Sequence, residues 1–157
     1  MTEKLPTTLE VQSPPRDMRH SLPIALLLAR ESVMSLFRPM LARHDVTEQQ
    51  WRVLRVLAEN GRIDATELAQ RASVLAPSLT RILRSLDERG VIRRAKDDGD
   101  GRRVLVEITS SGLDIIEKVL PQSREIYARI EQAYGKDRID ALVELLDELT
   151  NTDWGGR

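Results

Sequence analysis

The sequence predicts a mainly α-helical protein with one small β-hairpin. Three observations support this fold class. Apolar residues recur at helical spacing along most of the chain, capping patterns and glycines separate the helical segments, and two short β-branched runs flank a polar loop. The length of 157 residues predicts one domain, or two at most.

Composition excludes several classes of protein. Of the residues, 41% are apolar and 31% are charged, which is sufficient for a packed core under a solvated surface. Cysteine is absent, so disulfides, thiolate zinc sites and thiol redox switches are excluded. The longest purely apolar run, residues 24–29, is far shorter than the roughly 20 residues that cross a bilayer. We therefore expect a cytoplasmic protein with no membrane partner.

The first helix is expected to begin after Ser21 and to continue to His44. Residues 1–18 precede it, and their three prolines and few apolar side chains predict a flexible N-terminal arm. The apolar residues of the helix cover more than one face, which is typical of a helix buried on several sides. Pro39 should bend it, because its ring displaces the hydrogen bond to the Ser35 carbonyl oxygen.

Two capping boxes predict where the next helices begin. Thr47, with Gln50 three residues later, fits a capping box, and the helix that follows should stop at residues 60–61, an Asn-Gly pair. A second box at residues 64–67 opens a short helix.

A tight turn over residues 73–76 leads to a further helix. Pro77 is expected at its first position, and Gly90 should end it. Four apolar residues at helical spacing form its buried stripe: Leu79, Ile82, Leu83 and Leu86. The period then changes, because residues 91–94 and 103–108 are short and β-branched-rich and flank a polar loop at residues 96–102. This pattern predicts the hairpin.

The last two helices carry apolar side chains at heptad spacing. Thr109 or Ser110 should cap the first of them, and Pro121 should kink it. Seven of its residues alternate three and four positions apart, and we call them the seam: Leu113, Ile116, Leu120, Ser123, Tyr127, Ile130 and Tyr134. The final helix, after Gly135, repeats the spacing with Ile139, Leu142, Leu146 and Leu149. Such spacing is typical of helices that pack along one another.

Two short helices joined by a tight turn and followed by a hairpin define a winged helix-turn-helix, whose second helix enters the DNA major groove. If the leucine stripe faces inward, short polar side chains and two arginines face outward. Arginine can bind guanine O6 and N7 together, and Ser or Thr can bind a base or a phosphate. The candidate DNA-binding residues of this helix are Ser78, Thr80, Arg81, Arg84 and Ser85. The alternative is that they are only solvated.

The hairpin, or wing, supplies a second basic element. Residues 81–103 contain eight basic and five acidic side chains, and residues 62–103 carry a net charge of +3 whereas residues 104–157 carry −5. A basic middle segment is expected if only that segment approaches a polyanion. Arg102 and Arg103 are the candidate DNA-binding residues here, and Asp100 is expected to orient the Arg102 guanidinium. The alternative is an acidic wing tip that never touches DNA.

The wing and the helix after it resemble the multiple-antibiotic-resistance regulator (MarR) family. In that family an Asp-x-Arg wing element precedes a strand and a Leu/Ile-Thr-x-x-Gly helix start, and the matching residues here are Asp100, Arg102, Ile108, Thr109 and Gly112. The resemblance implies one domain over about residues 20–150. Its winged helix-turn-helix lobe spans residues 47–108, and residues 19–46 and 109–151 form a helical dimerisation region whose helices intertwine with those of a second copy. It also implies a homodimer on a pseudo-palindromic operator.

A narrower resemblance is to the subgroup of this family that represses homoprotocatechuate (3,4-dihydroxyphenylacetate) degradation operons. Residues 21–27, 37–39, 44–52 and 68–80 carry it, whereas the N-terminal arm and the acidic wing tip depart from it. It implies a repressor of aromatic catabolism that a small aromatic acid, such as 3,4-dihydroxyphenylacetate or 4-hydroxyphenylacetate, releases from DNA.

An aromatic carboxylate needs a guanidinium, an apolar slot and one or two hydroxyl or imidazole partners. Family placement puts its cavity between the dimerisation helices and the DNA-binding lobe, with Met34 and Phe37 as walls. The candidate effector-binding residues are Ser35, Arg38, His44, Trp51 and Arg55. Each has a structural alternative: a core tryptophan, surface or interface ion pairs for the arginines, and stabilisation of a helix C-terminus for the histidine.

Two other classes of function compete with a DNA-binding regulator. An enzyme is disfavoured, because the chain has two histidines, no cysteine, no phosphate-binding glycine loop and no metal-ligand spacing. We therefore expect no catalytic residue, metal site or cofactor. A winged-helix module that binds proteins and not DNA is the remaining alternative, and the outward Arg81 and Arg84 favour DNA over it.

Overall fold

The computed structural model describes residues 20–155, so the predicted arm at residues 1–18 lies outside the described part of the chain. The described elements are α1 (Leu22–Ala42), α2 (Glu48–Asn60), β1 (Ile63–Asp64), α3 (Ala65–Arg71), α4 (Ala76–Glu88), β2 (Ile92–Lys96), β3 (Val104–Ile108), α5 (Ser110–Tyr134) and α6 (Lys136–Thr150). The chain divides into two compact units, with the boundary after Ser35, inside α1.

Side-chain caps determine where α2 and α3 begin. The Thr47 hydroxyl accepts a hydrogen bond from the Gln50 backbone N–H at 3.2 Å, and Gln50 Oε1 accepts one from the Thr47 backbone N–H at 3.0 Å. This confirms the first capping box. At α3, Asp64 Oδ1 accepts from the backbone N–H groups of Thr66 and Glu67, at 2.8 and 3.2 Å. Each bond satisfies a backbone donor that the helix itself leaves unpaired.

The turn between α3 and α4 is as short as predicted. Ser73 adopts a left-handed conformation with φ of 50°, and α4 begins at Ala76. Pro77 is therefore the second residue of α4 and not the first, a position where a missing backbone N–H is equally harmless. Gly90, with φ of 70°, follows the end of the helix. The predicted stripe is confirmed, since Leu79, Ile82, Leu83 and Leu86 are all buried.

The predicted hairpin is part of a three-stranded antiparallel sheet with the order β1-β3-β2. Ile92 lies opposite Ile108 and Lys96 opposite Val104, so β2 extends two residues beyond its predicted end. The sequence pattern does not predict β1, whose Ile63 lies opposite Val106. A strand of two residues is too short to show the alternation that predicts strands.

The hydrophobic core lies in the winged helix-turn-helix lobe. Its buried side chains come from α2, α3, α4, the sheet and the first turns of α5, together with neighbouring loops. They are Val46, Val53, Leu54, Leu57, Ile63, Leu68, Ala72, Val74, Leu79, Ile82, Leu83, Leu86, Val91, Ile92, Val106 and Ile116. Helices and sheet of the lobe therefore share one core, which holds α4 with its polar side outward.

The seam of α5 coincides only partly with the face of this helix that is buried in the structure. The buried positions of α5 are Gly112, Ile116, Val119, Ser123 and Ile126. Three seam residues, Leu113, Tyr127 and Tyr134, are exposed instead. α5 thus packs on its own lobe with one face and presents a second, partly apolar face.

The other long helices also leave apolar side chains exposed. α6 buries none of its residues in the described chain, and Leu142 and Leu146 are 41% and 37% exposed. Leu22, Leu27 and Leu28 in the first part of α1 are exposed as well. α1 and α5 continue through Pro39 and Pro121 without a break, and the bends expected at these prolines stay predictions. Among residues 20–155 there is no helix with the length and apolar character needed to span a membrane.

Candidate nucleic-acid interface and ligand pocket

α4 presents a basic, polar side to solvent. Burial of the leucine stripe directs Arg81 and Arg84 outward, where both are exposed. Neither guanidinium has an ion-pair or hydrogen-bond partner within residues 20–155. Ser78 and Ser85 are half-buried at the edge of this side, and the Ser85 hydroxyl accepts a hydrogen bond from Gln50 Nε2 at 3.4 Å. Two free arginines on one exposed helix side fit the major-groove role predicted from the sequence.

The first turn of α4 has no side-chain cap. Leu75 occupies the N-cap position with no capping hydrogen bond. The Thr80 hydroxyl donates to the Ala76 carbonyl oxygen at 3.2 Å, so its oxygen can still accept from a further donor.

A shallow groove of about 330 Å³ separates α4 from the start of α2, and Gln49, Ser78 and Arg81 are among its lining residues. The basic side of α4 therefore borders the N-terminus of another helix.

The wing loop, residues 97–103, is closed by its own hydrogen bonds. The Asp97 backbone N–H donates to the Arg103 carbonyl oxygen, and the Arg103 backbone N–H donates to the Asp100 carbonyl oxygen, both at 3.0 Å. Asp100 Oδ1 accepts from the backbone N–H of Arg102 at 3.1 Å. The expectation that Asp100 holds the Arg102 guanidinium is therefore corrected, because the carboxylate bonds the backbone and shapes the turn. The Arg102 guanidinium has no partner within the described residues.

Arg103 is bonded within the protein. Its Nε donates to Asp64 Oδ2 at 3.1 Å, and its Nη1 lies 3.9 Å from Asp97 Oδ2. The hydrogen bond from Arg103 is the main reason that the pKa of Asp64 is lowered, and the same bond raises the pKa of Arg103. Both groups are therefore charged at neutral pH.

A second ion pair joins the wing to α4. Arg94 on β2 donates through Nε and Nη2 to the same oxygen of Asp87, at 2.9 and 2.8 Å. The wing is thus tied to α3 through Arg103 and to α4 through Arg94, so its position follows that of the helix-turn-helix.

A pocket of about 570 Å³ lies between α2, the end of α3 and α5. It contains two aromatic side chains, four arginines and two serines, and none of the described residues that line it is acidic. The lining residues are Trp51, Arg52, Arg55, Val56, Arg71, Ala72, Ser73, Leu120, Ser123, Arg124 and Tyr127. Aromatic walls with cationic groups suit a small aromatic anion.

The arginines of this pocket have different surroundings. Arg55 pairs with Glu59 one turn away, and its guanidinium carbon lies 5.9 Å from the centroid of a Trp51 ring. Arg124 has no partner within residues 20–155. The pocket therefore combines one arginine held beside an aromatic ring with another that is free to bind an anion.

Arg71 links the pocket to the helix-turn-helix. Its Nη1 donates to Asn60 Oδ1 at 2.6 Å, and its Nε donates to Glu67 Oε1 at 2.9 Å. Since Asn60 ends α2 and Glu67 lies in α3, this side chain ties the end of α2 to α3 beside the pocket.

The five predicted effector residues do not converge on one site. Trp51 and Arg55 line the large pocket. Arg38 lines a second pocket of about 480 Å³ between α1 and α2, where it pairs with Glu48 at 3.6 Å. His44 Nε2 lies 2.8 Å from the Gln122 side-chain nitrogen, and the Ser35 hydroxyl donates to the Ser32 carbonyl oxygen at 2.7 Å.

Several pocket residues were missed because they lie far along the chain from Trp51. Ser123 and Tyr127 on α5 were assigned to the seam, and Tyr127 also packs against Phe37, a predicted wall residue, with ring centroids 5.0 Å apart. One signal was present in the sequence: Ser123 is the single polar position of the seam, and it is buried. Arg71 and Arg124 carried no such signal, since an arginine on an exposed helix side is ordinary.

A winged helix-turn-helix with free arginines on the exposed side of α4 defines a class of DNA-binding protein. Residues 46–104 match the MarR family. Two relatives are similar over most of the chain. The HTH-type transcriptional regulator FarR of Neisseria gonorrhoeae is 41% identical, with 88% of this chain and 96% of FarR covered. The homoprotocatechuate degradative operon repressor of Escherichia coli is 42% identical, with 83% and 88% covered. The chain belongs to the MarR family of transcriptional regulators.

Solved structures show the same fold. NadR in complex with 4-hydroxyphenylacetate is 39% identical, with a TM-score of 0.74, and the match covers 90% of this chain and all of NadR. A MarR variant from Escherichia coli complexed with operator DNA is 26% identical, with a TM-score of 0.76, and the match covers 85% and 98% of the two chains. The predicted winged helix-turn-helix fold is confirmed.

Proposed function

We propose that the protein is a homodimeric repressor of an aromatic-acid catabolic operon, and that a small aromatic carboxylate releases it from a pseudo-palindromic operator. The observation that carries this proposal is the cationic aromatic pocket beside the helix-turn-helix. Relatives support it, since one is a homoprotocatechuate operon repressor and NadR was solved with 4-hydroxyphenylacetate. We propose that it acts in the cytoplasm, where a repressor has access to chromosomal DNA.

Operator binding follows from the exposed side of α4. Arg81 and Arg84 contact base edges or phosphates in the major groove, and Ser78, Thr80 and Ser85 add hydroxyl contacts at its edge. Arg102 extends from the wing toward the flanking minor groove, where the potential is most negative when the groove is narrow. Arg103, the second predicted wing arginine, lies next to it and pairs with Asp64.

A second copy of the chain provides the second half-site contact. The exposed apolar side chains of α1, α5 and α6 support this arrangement, because exposed apolar surface on three helices is typical of a protein–protein interface. Two copies related by a two-fold axis place their α4 helices in successive major grooves, roughly 34 Å apart.

The proposed effector is a monocyclic aromatic acid. Its ring packs between Trp51 and Tyr127, and its carboxylate pairs with Arg55, which exchanges its exposed bond with Glu59 for a partner inside the pocket. Arg124 and the Ser123 hydroxyl are placed to bind ring hydroxyl groups. Of the other predicted residues, we keep Ser35, Arg38 and His44 as candidates for contacts that complete the site in the dimer.

We attribute release from DNA to the position of the pocket, which is lined by α2, the end of α3 and α5. With its carboxylate on Arg55, the effector brings negative charge into the pocket that Arg71 also lines; this charge weakens the hydrogen bonds from Arg71 to Asn60 and Glu67 and loosens the attachment of α3 to α2. Because α3 and α4 share one tight turn, this changes the spacing of the two α4 helices. The effector shifts the population only by its difference in affinity for the two arrangements.

Calorimetry and operator binding test the proposal together. The wild-type protein is titrated with 4-hydroxyphenylacetate, 3,4-dihydroxyphenylacetate and, as a charge control, 4-hydroxyphenylacetamide. We expect heat of binding, and release of a duplex selected by the protein from a random library, with the acids but not with the amide.

Variants identify the pocket. Arg55→Gln should abolish binding of the acids and keep duplex binding, because Arg55 lies outside the basic side of α4. Arg62→Gln, at an exposed arginine that does not line the pocket, should bind the acids normally. Absence of both heat and release with either acid would remove the aromatic-acid assignment and leave family membership intact.

A further inference from the structure

We infer that Asp64 and Arg103 position the wing, so that Arg103 is a positioning residue and Arg102 is the wing arginine that contacts DNA. We call the pair the wing clamp. This inference rests on the proposed operator binding, and it departs from the expectation that both arginines contact DNA.

Asp64 serves two elements at once. Its Oδ1 caps α3 through the backbone N–H groups of Thr66 and Glu67, and its Oδ2 accepts the hydrogen bond from Arg103 Nε. The Asp64 side chain is 15% exposed, whereas the Arg103 side chain is 53% exposed. The less exposed partner belongs to the helix-turn-helix and the more exposed one to the wing, so the bond fixes the wing relative to α3.

The wing loop transmits this position to Arg102. Arg103 closes the loop through its own backbone N–H and carbonyl oxygen, and Arg102 is held one residue earlier by Asp100 Oδ1. Because neighbouring residues in a closed loop move together, attachment of Arg103 to α3 determines where the Arg102 guanidinium lies.

The charges around the two arginines differ. Arg103 lies between the carboxylates of Asp64 and Asp97, which offset its attraction for a phosphate. Arg102 has no ion pair within the described residues, so its whole charge is available to a nearby phosphate or groove.

The direct-contact alternative makes the opposite prediction for one variant. If Arg103 bound a phosphate, Asp64→Asn would remove a competing carboxylate and strengthen DNA binding. If the clamp positions the wing, the same change weakens binding. Asn is as good an N-cap residue as Asp, so this variant keeps the cap of α3 and removes only the charged pair.

The first readout is affinity for a duplex that the wild-type protein selects from a random library, measured over a range of salt concentrations. Arg102→Gln should lower the salt slope by about one for each wing, as expected for a lost phosphate contact. Asp64→Asn and Arg103→Gln should each weaken binding about two- to tenfold, less than loss of a base contact, with the salt slope unchanged. The double variant should be no weaker than Arg103→Gln, and Arg103→Lys should restore part of the affinity.

The second readout needs no DNA. Backbone amides of the wing loop should exchange with deuterium at least about threefold faster in Asp64→Asn and Arg103→Gln, but not in Arg102→Gln. This separates the clamp from the proposed function, since exchange reports wing order even if no duplex is selected. The inference is overturned if Asp64→Asn strengthens binding, if Arg103→Gln lowers the salt slope as Arg102→Gln does, or if wing exchange is unchanged in both clamp variants.

Discussion

Arg81 is the residue to which the proposed operator binding assigns the most direct role. It is exposed near the start of α4, and a guanidinium there can bind a guanine through two hydrogen bonds. We expect Arg81→Ala to weaken specific duplex binding by about 1–3 kcal/mol, measured by fluorescence anisotropy. Arg89→Ala is the matched control, because Arg89 follows the other end of α4 and donates to the Asp45 carbonyl oxygen. Full affinity in Arg81→Ala would contradict the assigned side of α4.

Asp64 makes the stability of the lobe depend on acid pH. Because Arg103 lowers the pKa of Asp64 in the folded chain, folding favours the deprotonated carboxylate. This stabilisation is fully present above the unfolded-state pKa and is lost as the pH falls through the lower folded-state value. Thermal melting between pH 7 and pH 2.5 should therefore show a smaller decrease below about pH 4 in Asp64→Asn than in wild type. Asp98→Asn, an exposed change in the wing loop, should melt like wild type, and equal curves for all three proteins would argue against the effect.

At the scale of elements, the start of α5 is the tightest junction in the lobe. A Cβ on Gly112 would lie 2.3 Å from the Val91 carbonyl oxygen and 2.5 Å from Ile108 Cγ1. We expect Gly112→Ala to destabilise the protein by about 1–3 kcal/mol in urea unfolding, since the helix must move away from the sheet. Gly101→Ala has no atom within 4 Å of its new Cβ and should change stability little. This contact gives the Thr-x-x-Gly pattern of the sequence a steric reason.

The helices were predictable because several local signals agree at each one. The Thr47 capping box predicts where α2 begins. The leucine stripe and the glycine after it predict the extent of α4, and the structure confirms both. β1 was not predictable, since Ile63 pairs with Val106 across a large separation in sequence, and two residues show no period. Local pattern therefore predicts elements whose stability is local, and it misses an element that exists only through its partner strand.

The parts of the candidate site that lie on a single helix were the easiest to predict. The outward side of α4 follows from one helical period, so the exposed positions of Arg81 and Arg84 could be predicted from the sequence. The pocket joins α2, α3 and α5, and only its α2 part, Trp51 and Arg55, was predicted. Contacts such as Arg103 with Asp64 depend on how the sheet meets α3, which spacing in the sequence does not encode.

At the scale of the whole molecule, the exposed apolar side chains of α1, α5 and α6 predict an obligate dimer. We expect Leu146→Asp on α6 to shift the protein from dimer to monomer in sedimentation velocity, because it places a charge in the apolar interface. Operator affinity should fall with it, since one half-site alone loses the gain of simultaneous binding. Leu75→Asp, at a residue 79% exposed beside α4, makes the same chemical change and should leave the dimer intact. An unchanged dimer in Leu146→Asp would contradict the role given to α6.

The arginines that line the pocket do not belong to the hydrophobic cluster of the winged helix-turn-helix lobe, and this has an evolutionary consequence. Under the proposed function, substitutions at Arg55 and Arg124 would change which aromatic acid is bound at little cost in folding, whereas Arg71 also ties α2 to α3. The exposed side of α4, to which we assign DNA binding, is built from other residues. The proposed effector specificity could thus change through substitutions at a few pocket positions while the proposed operator specificity stays the same.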